Sequence, residues 1–179
     1  MTDTLPTQPG PALALSVLVP IYNEAESLAA LFARLDEVLA AAPAPYAHSY
    51  EIVLVDDGST DASFKLCAER CQHDPHLRVV RFRRNFGKTA ALQAGFTLSR
   101  GRYVVTIDAD LQEDPSEMFK LLAELDAGYD LASGWREQRN DPLAKTLPSR
   151  VFNTVVSRVT GLYLRDFNCG FKAYRREVL

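Results

Sequence analysis

Asp108-Ala109-Asp110 sets two carboxylates two residues apart, directly after the apolar run Tyr103 to Ile107. In extended backbone the side chains at i and i+2 project the same way, so both acids can face one point. Two such charges repel unless a cation lies between them, and their hard oxygens suit Mg²⁺ or Mn²⁺. An ion held there would neutralise a diphosphate leaving group and ease the breaking of its bond to a sugar. Two further apolar runs end in polar residues. Pro20-Ile21-Tyr22-Asn23-Glu24 follows the first, and Asp56-Asp57-Gly58-Ser59 follows the second. Taken singly each motif has a plain structural reading: Asn23 caps a helix with Glu26 completing the box, Asp57-Gly58 turns, and Asp108 ends a strand.

Basic residues supply the complementary charge. Arg81, Arg83, Arg84 and Lys88 surround Asn85-Phe86-Gly87 just before an expected helix, whose N-terminal amides would favour an anion. Further on, Gly134-Trp135-Arg136-Glu137-Gln138-Arg139 leads to Lys145 and Arg150. Planar guanidinium groups grip phosphate well. A solvated charged surface is the plainer alternative for any one of these arginines.

The elements that must carry these groups follow from hydrophobic spacing. Leu15 to Pro20 reads as a buried strand, and residues 24–41 as a helix with Leu28, Leu31, Phe32, Leu35, Val38 and Leu39 on one stripe. A strand follows at Glu51 to Val55, a helix at about 61–72, a strand at Leu77 to Phe82 and a helix at 88–99. Tyr103 to Ile107 reads as a central strand. Asp114-Pro115 opens a helix whose core face is Met118, Leu121, Leu122 and Leu125, and Tyr129 to Ser133 is a last strand. Apolar strands alternating with helices predict an α/β fold, a mainly parallel central sheet flanked by helices. Ligands of such sheets bind beyond the carboxyl ends of the strands, where the acidic motifs fall.

Composition narrows the function classes. The 179 residues suit a single domain over 15–179, preceded by a Pro- and Gly-rich tail at 1–14 that reads as disordered and not as a secretory signal. A net charge of -3 argues against a dedicated nucleic-acid binder. Three cysteines form no disulfide framework and suit a reducing, cytoplasmic setting. No apolar run approaches the roughly 18 residues of a membrane span. Phe86-Gly87-Lys88-Thr89 resembles the end of a P-loop, but Phe82 stands where that loop needs glycine. No G-x-G-x-x-G follows the first strand, which disfavours a dinucleotide oxidoreductase. The Asp108/Asp110 pair also resembles that of haloacid-dehalogenase-type phosphatases, although theirs sits near the start of the fold and Gln112 breaks the pattern. Cys67, Cys71, His73 and His76 lie close enough to suggest zinc, but the cysteines are more simply small core residues.

As an ordered set the motifs carry a family resemblance. VPIYNE at 19–24, DDGSTD at 56–61, RNFGKTAALQAG at 84–95, DADLQ at 108–112 and GWREQR at 134–139 resemble family 2 glycosyltransferases of the GT-A fold. LPSRVFN at 147–153 and DFNCGFK at 166–172 look like the branch that glycosylates polyprenyl phosphates, such as dolichol-phosphate mannose synthases and undecaprenyl-phosphate sugar transferases. The resemblance implies a metal-dependent, inverting transfer of a hexose from a UDP- or GDP-hexose to a polyprenyl phosphate, at the cytoplasmic face of a membrane. It implies that Pro20, Tyr22, Glu24, Asp57 and nearby Asp56 line the nucleotide pocket with Lys88. Asp108, Ala109, Asp110 and Gln112 would meet the donor diphosphate, with Asp108 and Asp110 on the metal. Arg136 would contact the sugar or phosphates, Arg150 and Thr154 would receive the lipid phosphate, and Asp166 would position the acceptor or act as base. The chain stops at Leu179, where relatives usually continue with more catalytic-domain sequence and membrane segments. Transfer to a non-lipid hydroxyl, or donor binding without turnover, are the alternatives.

Overall fold

The structure, a computed structural model, describes residues 13–134 and 169–179. Six strands form one sheet in the order β3-β2-β1-β4-β6-β5. These are β1 (Leu15–Ile21), β2 (Tyr50–Asp56), β3 (Leu77–Arg81), β4 (Tyr103–Thr106), β5 (Leu131–Ser133) and β6 (Lys172–Arg175). The helices are α1 (Ala25–Ala40), α2 (Ser63–His73), α3 (Lys88–Leu98) and α4 (Met118–Asp126). Strands β1 to β4 run parallel, whereas β6 runs antiparallel between β4 and β5. This is the GT-A architecture.

Alternation along the strands explains why both faces are covered. Val17, Val19, Ile52, Leu54 and Val105 join the larger core with Leu28, Leu31, Leu35, Cys67, Met118, Leu122 and Leu125, so α1, α2 and α4 cover that face. Leu18, Val53, Val55 and Val104 point the other way and pack with Ala91 of α3. Gly95 makes that second layer possible. A Cβ there would stand 2.1 Å from Leu18 Cδ1, so only glycine lets the helix lie this close to β1. Burial pushes the Cys67 thiol up to about 12, the neighbouring Cys71 adding to the shift, which keeps it a protonated core group.

Most expected elements appear within a residue or two of their expected bounds. Asp114 caps as the sequence suggests, accepting the Ser116 N–H at 2.9 Å, and Pro115 opens a 3₁₀ turn that runs into α4. Two readings need correction. Strand β6 was not foreseen, because Lys172–Arg175 is a short run charged at both ends and only Ala173 is fully buried. Asn23 does not cap α1. It adopts a left-handed φ of 56° and turns its side chain to another loop. Most of the expected tail, residues 1–12, and the segment 135–168 lie outside the described residues.

Candidate functional site

Parallel pairing aligns Ile21 with Asp56 and Leu18 with Thr106, which brings the ends of β1, β2 and β4 to one rim. The chain builds outward from β1 to β2 and β3, then returns through α3 to β4 on the other side. The crevice between β1 and β4 is therefore the switch point at which open parallel sheets bind ligands. A cleft of about 300 Å³ opens there. Pro20, Tyr22 and Glu24 line it from the end of β1, and Asp57 from the end of β2. Lys88 enters from α3, and Asp108, Ala109 and Asp110 from the end of β4. Eight of the residues expected to bind the donor thus line one cleft, and Ile21, Asn85, Gly87 and Ala91 complete its lining.

The β1 wall is built by two loops that cap each other. Asn23 Oδ1 accepts the Thr60 N–H at 2.9 Å, while the Asn23 N–H donates to Ser59 Oγ at 3.0 Å. The first amides of α1 are satisfied by the same foreign loop. Glu24 N–H donates to Ser63 Oγ at 2.8 Å and Ala25 N–H to Asp61 Oδ2 at 3.1 Å. Helix amides need such partners, and here they lie in another segment, out of reach of any local capping rule. Although its slight burial opposes it, the hydrogen bonds from Ser63 and Ala25 hold the Asp61 carboxyl below its ordinary range.

Asp57 is 3% exposed and both its oxygens are engaged. Oδ1 accepts the Phe86 N–H at 2.7 Å and Oδ2 the Gly87 N–H at 2.8 Å. The anion that the start of α3 attracts is therefore, for these two amides, the protein's own carboxylate. Gly58, at φ +71°, lies against the same loop, where a Cβ would stand 2.3 Å from the Arg84 carbonyl carbon. Asp56 lies beneath the rim, fully buried, with Oδ1 accepting the Ser59 N–H and Oδ2 3.3 Å from Arg81 Nε. Arg81 also stacks on Phe64, and Arg84 on Phe86. Of the basic residues expected near the donor, Lys88 reaches the cleft. Arg81 and Arg83 line a neighbouring groove instead.

Across the cleft, Lys88 Nζ sits 2.6 Å from Asp108 Oδ1 and 2.7 Å from Oδ2, straddling the carboxylate. On its other side Asp108 meets Gly170, where a Cβ would be 2.3 Å from Oδ2. The 169–172 loop is tied to β4 by Thr106 Oγ1, which donates to the Gly170 carbonyl at 2.6 Å. Asp110 is exposed and accepts the Gln112 N–H at 3.1 Å, in a turn closed by Leu111 at φ 62°. Gln112 does not line the cleft. Among the described residues no third His, Cys, Asp or Glu joins the two aspartates in a metal-holding group. The donor set, two carboxylates in one cleft, fits a Mg²⁺ or Mn²⁺ ion that draws its other ligands from phosphate or water. Arg136, Arg150, Thr154 and Asp166 lie outside the described residues.

The family model described as glycosyl transferase family 2 matches residues 16–179. The chain belongs to glycosyl transferase family 2. A dodecaprenyl-phosphate galacturonate synthase of Rhizobium johnstonii is 41% identical over 174 residues, covering 96% of this chain and 50% of that protein. An undecaprenyl-phosphate 4-deoxy-4-formamido-L-arabinose transferase of Pseudomonas fluorescens is 40% identical, with the same coverage. The chain thus spans about half the length of the curated relatives it matches. Among solved structures of the same fold, a mannosyltransferase of Pyrobaculum calidifontis in complex with GDP-Man and Mn²⁺ superimposes with a TM-score of 0.67 at 22% identity. That match covers 99% of this chain and 48% of the other. No helix among the described residues is long and apolar enough to cross a membrane.

Proposed function

We propose that this chain holds the donor-binding part of a glycosyltransferase that moves a hexose or related sugar from a nucleoside diphosphate to a polyprenyl phosphate. The observation that carries the reading is the meeting of Asp57, Lys88, Asp108 and Asp110 in one cleft at the β1/β4 switch point. The acceptor class rests on the relatives, whose names differ in sugar but agree in polyprenyl phosphate. Membrane association and a cytoplasmic site belong to the same proposal.

In this reading Pro20, Tyr22 and Glu24 flank the nucleoside, with Asp57 behind them and Asp56 bracing the strand end. Lys88 and the Asp108-Ala109-Asp110 turn face the diphosphate, and Gln112 orders that turn through its amide. Asp108 and Asp110 would hold Mg²⁺ or Mn²⁺, which would supply charge neutralisation for the departing nucleoside diphosphate. Lys88 adds a cation on the same side, so negative charge developing on the leaving phosphate meets positive charge already in place. Arg136 is assigned to the sugar or phosphates, Arg150 and Thr154 to the acceptor phosphate, and Asp166 to acceptor placement. A phosphate monoester, with a second pKa of about 6, is already largely ionised at neutral pH, so attack with inversion needs no strong protein base.

Calorimetric titration with UDP- and GDP-sugars, with and without Mn²⁺, tests the donor half of the proposal. Metal-strengthened binding that Asp110→Ala removes is the expected result. Binding that ignores both the metal and the substitution would defeat it.

A further inference from the structure

The ion pair between Lys88 and Asp108 closes the position that a metal ion would need. The ammonium lies within 2.7 Å of both carboxylate oxygens, so it neutralises the whole group. Asp108 is the more confined of the two. Its side chain is 18% exposed, and the Gly170 backbone lies so near that a single added carbon would stand 2.3 Å from Oδ2 and 2.8 Å from Oδ1. Lys88 is the free partner: its side chain is 51% exposed on a flexible four-carbon stem and starts a helix that faces the cleft. Asp110, the other carboxylate, keeps its Oδ1 on the Gln112 amide.

We infer that Lys88 is a displaceable internal counter-ion that makes metal capture depend on the nucleotide. Without a nucleoside diphosphate the ammonium occupies Asp108, and a divalent cation meets an aspartate pair with only about half its charge available. A diphosphate entering the cleft offers Lys88 stronger acceptors, draws it off the carboxylate, and brings oxygens to complete the ion's shell. Asp108 is then released to the metal. The order is set by the protein, because one carboxylate serves two cations in turn. This inference rests on the donor-binding reading above and adds to it a role for Lys88 as a positioning residue.

Mn²⁺ binding to the purified chain, followed by the loss of the free-ion electron paramagnetic resonance signal, tests it without any turnover. Wild-type protein should bind Mn²⁺ weakly alone and far more tightly with UDP or GDP present, beyond what nucleotide alone retains. Lys88→Met should bind Mn²⁺ alone on the order of tenfold more tightly, since the competing charge beside Asp108 is gone. The same variant should bind nucleotide less well in metal-free buffer. Lys88→Arg keeps the cation and should retain wild-type dependence on nucleotide, which also shows that position 88 tolerates change. Unaltered or weaker Mn²⁺ binding by Lys88→Met would overturn the counter-ion role alone. Failure of the wild type to bind Mn²⁺ even with nucleotide would overturn the donor reading as well.

Discussion

Asp57 accepts the Gly87 N–H at 2.8 Å, and with its other oxygen the neighbouring Phe86 N–H, so a side chain at the end of β2 holds the loop that launches α3. Lys88 is the next residue along. The position of the cleft's cation is thus inherited from a carboxylate on the opposite wall, which a direct-contact view of Asp57 would miss.

Replacing Asp57 by Asn should expose this link. The amide offers one acceptor where two donors converge, and its NH₂ would face a backbone N–H. Loss of that hydrogen bond in a buried setting costs about 1–3 kcal/mol of stability. The fold should survive while hydrogen exchange at the Phe86 and Gly87 amides accelerates and nucleoside diphosphate affinity falls by about tenfold. Unchanged exchange at these two amides would contradict the assignment.

Gly170→Ala tests the opposite flank of Asp108. The added carbon would drive the carboxylate out of line, because the contact distances leave no room for both. Mn²⁺-dependent nucleotide binding should weaken at least about tenfold, whereas metal-free nucleotide binding should change little. Calorimetry with and without the ion separates the two.

The strands and helices that hold these residues were readable because they are long apolar runs with period 2 or 3.6, as in Leu15–Ile21 and Ala25–Ala40. The parallel sheet then placed the acidic motifs at one rim without further information. What could not be read is what depends on partners remote in sequence. Asn23 looks like a cap by local rules, yet its partner is Thr60. Asp57 looks only like a pocket residue, yet each of its oxygens also accepts an amide of a remote loop, from Phe86 and Gly87. Gly170 has no signal beyond being a glycine in a motif, since its importance lies in the space it leaves for Asp108.

Gly95→Ala is expected to harm stability and leave ligand binding alone. The new methyl would collide with Leu18 at 2.1 Å, and overpacking of this kind costs about 1–3 kcal/mol, against a gain of about 1 kcal/mol in helix propensity. Adding Leu18→Val should recover part of the loss, a coupling that thermal unfolding of the single and double variants would measure.

Acid stability should depend on Glu51, which is 2% exposed at the sheet end away from the cleft. Burial alone would raise its pKa. Hydrogen bonds from Ser16 and the Arg100 amide, the charge of Arg78 and the Arg100 guanidinium outweigh burial and lower it from 4.5. A carboxyl whose folded pKa is depressed adds stability that is complete above its unfolded pKa and is lost as pH falls through the folded one. Melting temperature should therefore hold at neutral pH and drop below about pH 4.5, and Glu51→Gln should flatten that acid limb. The variant should also lose about 1 kcal/mol at neutral pH, because charge-assisted hydrogen bonds to the buried carboxylate become neutral ones while the half-exposed arginines turn to water.

The mutual bonding of residues 23–25 with 59–63 has a practical consequence for redesign. Neither stretch is a separable module: transplanting the first from a relative would leave the amides of Glu24 and Ala25 facing whatever hydroxyls and carboxylates the recipient happened to carry. An exchange of donor preference between family members must move both stretches together, as one composite graft.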